Sequence, residues 1–418
     1  MKVLHISSFS LPDTVGGTQV MVSALSRSLT ARGHDVSIFR HAREGSLGLY
    51  ETDWGRLGCA DVYSVGNDFS DCSSFEWLYR NSRIDELFAE FLDDHAPDVA
   101  HVHHLTCLST GILPLLKERG VPTVLSLWDF WLGCPRGQMI QDDLTLCASF
   151  DRRVCGSCCR RLWPHLIDGD ESGYELMVDY DRWIKEQLQQ VDVLATPSAH
   201  TRSMYLDWGV EREDIEVVPC GLEGRQNTRR VDRQREDLRV GYIGSVIPSK
   251  GAHVLIEAVQ QMPADRVSLD IHGAISSWHN DSGYEERLRQ LDQGTHRIRL
   301  HGRYEPAQVS DILAELDVLV VPGVWYETFC LTIREGFLAG VPVVVSRIGA
   351  MAEAIEDGVT GVLVEPGDAE DLARALEALR SQPELRQRIS DAAKAVRTTE
   401  SMVDQFESLY QRAMRVTP

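Results

Sequence analysis

The sequence predicts an α/β protein with two doubly wound parallel-sheet domains. Short apolar runs alternate with amphipathic helical patterns, and this alternation starts near residue 2 and starts again near residue 238. Alternating strands and helices form parallel sheets, because each helix is the crossover between neighbouring strands. The length of 418 residues agrees with two large domains, since one domain averages about 150 residues.

Each half of the chain has its own series of predicted elements. In the first half we predict strands at residues 2–7, 36–39, 98–102 and 121–127, and helices at residues 20–31 and 108–119. In the second half we predict strands at residues 238–243, 267–271, 298–301, 317–322, 341–345 and 361–364, and helices at residues 252–261, 284–291, 307–316 and 330–339.

These patterns define two predicted domains. The first spans residues 1–220, and the second spans residues 221–398. An arginine-rich stretch at residues 229–239 is typical of a solvated linker. The tail at 399–418 has apolar positions on one helical stripe and is predicted to pack back on the first domain.

Charge and hydropathy exclude several classes of protein. The formal net charge of −21 argues against general binding to nucleic acid or to anionic membranes, because both are polyanions. No run approaches the roughly 18 apolar residues that a membrane span needs, and no signal segment follows Met1. We therefore expect a cytoplasmic location, at most peripheral to the inner face of a membrane.

Two carboxylates stand eight residues apart after the apolar run at residues 318–321. Glu327 lies in a predicted loop and Glu335 in the helix that follows. Ligands of open α/β sheets bind beyond the carboxyl ends of strands, where helix N-termini offer N–H groups to phosphate. A nucleotide-diphosphate sugar fits, with the sugar near Glu327, the diphosphate over Leu331 and Thr332, and the ribose on Glu335. The alternative is two unrelated acids on an exposed helix.

A glycine-rich turn follows the first strand of the second domain. Residues 241–251 close that strand and lead into a helix, with Gly244 and Gly251 among them. Glycine lets the backbone approach a ligand closely, and Lys250 adds a cation where a diphosphate would lie. The spacing matches neither the Walker pattern nor G-x-G-x-x-G, so a plain strand-to-helix turn with a solvated lysine is the alternative.

Together these segments resemble glycosyltransferase family 4, a family of retaining nucleotide-sugar glycosyltransferases with the GT-B fold. The resemblance runs from Gly16-Gly17 through residues 244–251 to residues 327–335, and is most specific where Glu335 is followed by G-F-L-A-G-V-P-V-V. It implies two Rossmann-like domains facing across a cleft. It also implies sugar transfer from a nucleotide diphosphate to a glycan, glycolipid or other hydroxyl acceptor, with retention of configuration and no metal or other cofactor for catalysis.

The resemblance implies roles for individual residues as well. Glu327 is expected to act on the sugar as a catalytic residue, with Glu335 at the ribose and Lys250 at the diphosphate. His103 and Asp129 are expected to take part in catalysis from the acceptor domain. The other expected donor contacts are Gly16, Gly17, Gly244, Ser245, Gly251, Tyr304, Thr328, Phe329, Leu331 and Thr332.

The chain departs from the family pattern at two positions. Ser245 stands where the family often has arginine, so one diphosphate cation is absent or comes from elsewhere. Trp128 stands where many members have histidine, which removes a side chain that contacts the sugar and weakens the roles expected of His103 and Asp129. The alternative for His103 is an imidazole with satisfied hydrogen bonds at a strand end.

Five of the ten cysteines crowd into residues 134–159. Cys134, Cys147, Cys155 and Cys158 form C-x12-C-x7-C-x2-C, with Cys159 as a substitute. Four thiolates with a close C-x2-C pair suit a tetrahedral structural zinc, which would brace an insertion at residues 133–163. Free or redox-active thiols and an iron–sulfur cluster are the alternatives.

Cations and an indole lie next to the cysteines. Arg160, Arg161 and Trp163 predict weak, reversible contact with a membrane that carries a lipid-linked acceptor. The alternative is that Trp163 packs beneath the cysteine loop.

Other functions fit the same architecture. One is a nucleotide-sugar epimerase, and another is a phosphorylase that uses pyridoxal phosphate. A third is a protein that binds nucleotide sugar without turning it over. The presence of both Glu327 and Glu335 favours an enzyme.

Overall fold

Two sheets, each with its own helices, organise the chain. The computed structural model describes residues 1–8, 16–212, 214–224, 237–278, 283–292 and 297–416. Unit 1 contains Met1–Gln138, Ala148–Gly221 and Arg397–Pro418, and unit 2 contains Met139–Cys147 and Leu222–Val396. The division after Gly221 lies next to the boundary predicted from the sequence. Most of the predicted arginine-rich linker lies outside the described residues.

Unit 1 contains an eight-stranded sheet. Its strands are β1 (Lys2–Ser7), β2 (Asp35–His41), β3 (Thr52–Leu57), β4 (Ala60–Val65), β5 (Val99–Val102), β6 (Thr123–Ser126), β7 (Val193–Thr196) and β8 (Glu216–Val217). Its helices include α1 (Gly17–Ala31), α2 (Ser82–Asp94), α3 (Ile112–Glu118), α4 (Arg152–Leu162), α5 (Gly169–Gln190) and α6 (Ala199–Asp207). The strand order is β3-β4-β2-β1-β5-β6-β7-β8, and only the β3–β4 pair is antiparallel within this described sheet. The chain direction across the sheet reverses between β1 and β5, which makes this the switch point where ligands of such sheets bind.

Unit 2 contains a six-stranded parallel sheet. Its strands are β9 (Leu238–Ile243), β10 (Val267–His272), β11 (Ile298–Gly302), β12 (Val318–Val321), β13 (Val343–Ser346) and β14 (Val362–Val364). Its helices are α7 (Ala252–Gln260), α8 (Tyr284–Asp292), α9 (Val309–Ala314), α10 (Leu331–Ala339), α11 (Gly349–Ala354), α12 (Ala369–Ser381) and α13 (Pro383–Asp391). The strand order is β11-β10-β9-β12-β13-β14, so the switch point lies between β9 and β12.

The last helix, α14 (Thr399–Val416), belongs to unit 1. Its buried stripe includes Met402, Val403 and Phe406, and it packs against α1 and β6. The Tyr410 hydroxyl lies 2.8 Å from Nδ1 of His101, which is fully buried. This is the packing that the sequence predicts for the tail.

The predicted α/β class is confirmed, but several elements are additional to the prediction. Strand β3 is exposed along almost its whole length and therefore lacks the apolar alternation that marks a strand. Helix α2 does have an apolar stripe, and the Asn81 side chain caps it by accepting from the N–H groups of Arg83 and Ile84. Within the described residues, no helix is both long and apolar enough to cross a membrane.

The predicted insertion at residues 133–163 is not one module. Residues 139–147 belong to unit 2, where Ile140 is buried in the core and pairs with Leu146 in an antiparallel bridge. The cysteines at 155, 158 and 159 lie on α4 instead of in a loop. Helix α4 packs closely on α5, since a Cβ on Gly156 would lie 2.6 Å from the carbonyl carbon of Gly173.

Candidate functional site

The site of unit 2 begins at the turn after β9, at the switch point of its sheet. Gly244 and Gly251 have φ angles of 140° and 75°, in the region that favours glycine. A Cβ on Gly251 would lie 1.9 Å from the Pro322 carbonyl oxygen, so glycine is needed for this turn to approach the end of β12. The Val324 N–H donates to the Ser249 carbonyl at 2.9 Å and joins the two loops.

Lys250 and Glu327 meet between these loops. The Lys250 ammonium forms a short ion pair with Oε1 of Glu327, and it lies 4.8 Å from the centre of the Trp325 ring. The Trp325 Nε1–H donates to the same carboxylate oxygen at 3.2 Å. Glu327 is 8% exposed and the Lys250 side chain is 29% exposed, so water screens the attraction between the two charges only in part. The predicted diphosphate cation and the predicted sugar carboxylate therefore share one cluster.

Helix α10 begins directly after this cluster. Cys330, its N-cap, has φ 63° and ψ 88°, a left-handed conformation that costs a non-glycine residue on the order of 1 kcal/mol. Arg334 supports this turn by donating to the Cys330 carbonyl at 3.3 Å and by lying 4.0 Å from the centre of the Phe329 ring. The first N–H groups of a helix have no partner within it, so the turn that contains Leu331 and Thr332 can receive an anion.

Glu335 lies one turn into α10. Burial raises the pKa of its carboxyl to about 7. Burial also raises the pKa of Tyr304 to about 12, and the nearby Glu335 charge adds to this effect. These two predicted donor residues are therefore neighbours, and a carboxyl and a phenol together can bind the hydroxyl groups of a ribose.

The remaining predicted donor contacts are divided between the units. Ser245 is exposed, and its carbonyl accepts from the Tyr242 hydroxyl at 2.6 Å. Thr328 is half-buried beside Glu327. Gly16 and Gly17 belong to unit 1, where Gly16 is the extended N-cap of α1.

The direct catalytic role expected of His103 does not fit the structure of unit 1. His103 is 2% exposed, and its Nδ1 accepts from the Trp128 Nε1–H at 3.1 Å. Its Nε2 therefore carries the proton and donates to Nδ1 of His5 at 2.8 Å. Burial, followed by the neighbouring histidines, lowers the pKa of His103 well below its usual value. His103 is thus a neutral side chain with both nitrogens in use, and it positions Trp128.

His104, for which no role was expected from the sequence, is the histidine that contacts Asp129. Its Nδ1 accepts from the Thr106 N–H at 3.2 Å and from the Ser8 hydroxyl at 2.8 Å. Its Nε2–H consequently donates to Oδ2 of Asp129 in a short contact. Ser8, His104 and Asp129 follow β1, β5 and β6, so they meet at the switch point of the sheet in unit 1.

A pocket of about 540 Å³ adjoins His104 and Asp129 within unit 1. Much of its wall is aromatic, with Phe69, Phe75, Tyr79, Trp131, Trp163 and Tyr180. Trp163 contacts Phe75 at 5.8 Å between ring centres, edge to face. This half-buried indole therefore packs inward, as in the alternative to membrane contact. Arg160 and Arg161 lie in the last turn of α4.

Four of the five clustered cysteines lie near one another, namely Cys134, Cys155, Cys158 and Cys159. Burial raises the pKa of Cys159 well above its usual value, and the nearby thiols of Cys134, Cys158 and Cys155 raise it further. Cys147 belongs to unit 2, whereas these four belong to unit 1. The predicted set of four ligands is thus divided between the units.

Two clusters of histidine and aspartate side chains each bring three metal-binding atoms within 4.8 Å of one another. Among the described residues, no cysteine belongs to such a cluster. The first contains His5, His101 and His103, and the second contains Asp270, His272 and His301. Zinc bound by cysteines stays a prediction.

Comparisons with known proteins match both halves of the chain. A family model described as Glycosyltransferase Family 4 matches residues 15–223, and one described as Glycosyl transferases group 1 matches residues 225–396. A D-inositol 3-phosphate glycosyltransferase of Thermomonospora curvata is 30% identical, over 98% of this chain and 94% of that protein. An MMP alpha-(1->4)-mannosyltransferase of Mycolicibacterium hassiacum is 25% identical, over 96% of this chain and 95% of that protein.

Solved structures share the architecture. The crystal structure of Anabaena HepE with UDP and glucose matches with a TM-score of 0.69 and 16% identity, over 98% of this chain and 99% of that one. At this level of identity the likeness concerns the fold. It agrees with two α/β units built on parallel sheets.

Proposed function

This chain is an enzyme of glycosyltransferase family 4, and on that premise we propose that it moves a sugar from a nucleotide-diphosphate donor to a hydroxyl acceptor with retention of configuration. The observation that carries this proposal is the cluster at the switch point of unit 2. There Lys250, Glu327 and the first turn of α10 lie together beyond β9 and β12.

The cluster suits a donor with separate phosphate and sugar groups. A bound diphosphate competes with Glu327 for the Lys250 ammonium, because phosphate oxygens bind cations through the same charge-assisted hydrogen bonds as carboxylates. Glu327 is then released to accept hydrogen bonds from sugar hydroxyls. Glu335 and Tyr304 take the ribose, and the first N–H groups of α10 meet the phosphate.

The reaction needs stabilisation of the leaving diphosphate. Negative charge grows on it as its bond to the sugar C1 breaks, and Lys250 together with oriented N–H groups offsets that charge. The acceptor oxygen bonds to C1 on the same face, and its proton passes to the departing phosphate oxygen. This route requires no protein base, which agrees with a His103 whose two nitrogens are already in use.

Calorimetry with UDP, GDP, ADP and TDP, each compared with its monophosphate, tests the donor site. We expect Lys250→Ala to weaken the diphosphate at least tenfold and the monophosphate much less. Glu335→Ala should weaken both about tenfold or more, since a hydrogen bond to a charged group contributes about 1.5–3 kcal/mol. Lys394→Ala is the control, because Lys394 also belongs to unit 2 but donates to the Ala354 carbonyl.

Two outcomes would contradict the donor assignment. One is unchanged nucleotide affinity in Glu335→Ala. The other is an equal loss for diphosphate and monophosphate in Lys250→Ala, which would place the lysine away from the diphosphate.

Contact with a membrane is a separate part of the proposal. Arg160 and Arg161, in the last turn of α4, add about 1 kcal/mol each near an anionic surface. That is too little to hold a chain of net charge −21, so binding should be weak and disappear at high salt. In flotation with phosphatidylserine vesicles, the double variant Arg160→Glu, Arg161→Glu should float less than the parent. Equal flotation, or no flotation of the parent at low salt, would remove this contact from the proposal.

A further inference from the structure

We propose that the acceptor is amphiphilic, with an apolar group that fills the pocket of unit 1 and a reacting hydroxyl that binds at Asp129. This inference rests on the proposed transferase function and specifies the chemical class of the acceptor. It arises because a transferase needs a second binding site besides the donor cluster, and unit 1 has a pocket at the switch point of its own sheet.

The wall of the pocket suits an apolar group. Its volume of about 540 Å³ lies within the range of roughly 300–1,000 Å³ that is usual for small-molecule sites. Tyr79 and Tyr180 meet edge to face, with ring centres 4.7 Å apart and planes at 85°. Such contacts hold the rings in place, so the pocket exists before an acceptor enters.

Polar groups line only part of this pocket, including His104, Thr106, Asp129 and His165, so the aromatic part of the wall favours an apolar group over a chain of sugar hydroxyls. The Tyr180 hydroxyl already donates to the Trp131 carbonyl at 2.5 Å, so this residue presents its ring. Arg136 also lines the wall, and its Nη1 donates to the Cys158 sulfur at 3.3 Å. A sugar has a hydroxyl on most carbons, and each one that is buried without a partner costs on the order of 1–3 kcal/mol. An alkyl or aryl group has no such cost.

The polar end of the pocket suits a hydroxyl. Asp129 Oδ1 accepts from the Trp131 N–H at 2.9 Å, and Oδ2 accepts from His104. The Asp129 side chain is still 35% exposed. Each carboxylate oxygen has two lone pairs, so Asp129 retains capacity for an acceptor hydroxyl. His104 has both nitrogens in use, so it positions Asp129.

The experiment compares matched acceptors that differ only in the apolar group. Methyl, octyl and p-nitrophenyl glycosides of glucose, mannose and galactose are titrated into the full-length protein below their micellar concentrations. We expect the octyl or aryl form of at least one sugar to bind tenfold or more tightly than its methyl form. With donor present, the same pair should differ in KM and much less in kcat.

Two pocket variants and one control locate the effect. Trp163→Ala removes an indole from the wall, and Leu166→Asp places a charge on a half-buried wall position. Both should reduce the preference at least fivefold, and thermal unfolding shows whether they are folded. Trp54→Ala should retain the preference, because Trp54 is a 47%-exposed aromatic of unit 1 that does not line this pocket.

The proposal is overturned if no octyl or aryl glycoside binds better than its methyl form, or if both folded wall variants keep the full preference. Calorimetry with nucleoside diphosphates separates this failure from failure of the transferase function. Nucleotide binding without an apolar preference removes only the acceptor class. Apolar preference without nucleotide binding supports the pocket but removes the donor assignment.

Discussion

Glu335 shows how the surroundings of a side chain determine its chemistry. The residue is a glutamate on a helix, and burial raises the pKa of its carboxyl to about 7. It therefore changes charge near neutral pH, in the place where a ribose is proposed to bind. Lys250 and Glu327 are the contrasting case, since each supplies the opposite charge that the other needs.

The raised pKa of Glu335 predicts a pH-dependent stability. The folded state holds the proton up to about pH 7, whereas the unfolded state releases it near the usual value of 4.5. The stabilising contribution is therefore complete below the unfolded pKa and is lost as the pH rises through the folded pKa. Glu335→Gln cannot lose a proton, so its Tm relative to the parent should increase between pH 4.5 and 7.5 by roughly 6–12 °C, which corresponds to about 3 kcal/mol for a shift of this size.

Thermal unfolding across this pH range checks the prediction. Glu353→Gln is the control, because Glu353 also lies on a helix of unit 2 but is outside the donor cluster. A difference between Glu335→Gln and the parent that is the same at every pH would show that the carboxyl does not titrate in this window.

The histidines of unit 1 mark a limit of residue-by-residue prediction. The sequence H-V-H-H contains three candidates, and the resemblance favours His103. Successive residues of a strand point to opposite faces, so His101 and His103 both turn into the core. His104 lies two residues past the end of β5, and it lines the pocket. The second of the two adjacent histidines in H-V-H-H could have indicated His104. Only the packing, however, distinguishes His104 from His103.

At the scale of elements, two turns build the donor cluster. The turn after β9 depends on Gly251, which has φ 75° and lies against the Pro322 carbonyl. Glycine at this position was predicted for approach to a ligand. Its closest neighbour is in fact the backbone of Pro322, so glycine at this position also lets the turn after β9 pack against the end of β12.

Gly251→Ala should therefore destabilise unit 2 by about 2 kcal/mol or more, through both the positive φ and the clash. Gly358→Ala is a matched control, since Gly358 has φ 73° but no atom within 4 Å of a Cβ. It isolates the cost of the φ angle. Urea denaturation should show the larger loss for Gly251→Ala, and equal losses would mean that the Pro322 contact adds nothing.

Helix α4 changes the predicted arrangement of the cysteines, because the sequence had placed them in a loop. Three of the five clustered cysteines lie on this helix at positions 155, 158 and 159, which places them on one face. We expect one zinc per chain with a structural role, so Cys155→Ser should lower the Tm before it lowers nucleotide affinity. Cys59→Ser, a cysteine outside the cluster, is the control.

Elemental analysis of protein purified without chelator decides this question. Absence of zinc, with all the clustered thiols open to titration, would leave the alternative of free thiols. Iron with a visible absorbance band would indicate an iron–sulfur cluster instead.

At the scale of the whole molecule, the chain divides its chemistry between two units. The cationic and carboxylate cluster belongs to unit 2, and the aromatic pocket with Asp129 belongs to unit 1. The C-terminal helix α14 and residues 139–147 each belong to the unit that is not adjacent in sequence. Neither unit is therefore a single continuous stretch of chain.

We expect transfer to continue after exchangeable divalent metal is chelated. Lys250 and the N–H groups of α10 provide positive charge at the diphosphate, so a metal ion is not needed there. Initial rates of nucleoside diphosphate release with and without EDTA should agree within about twofold. Immediate loss, restored by magnesium or manganese, would contradict this mechanism, whereas slow loss would indicate the cysteine site.

The sequence by itself determined the two parallel-sheet units, most of their strands, the family, and the segments that form the donor cluster. These features depend on local patterns, such as apolar runs, glycines at turns and carboxylates after a strand. The tertiary structure decided which histidine is buried, which unit receives Cys147, and that Trp163 lines a pocket. Those outcomes depend on contacts between residues far apart in the chain, and local patterns do not record such contacts.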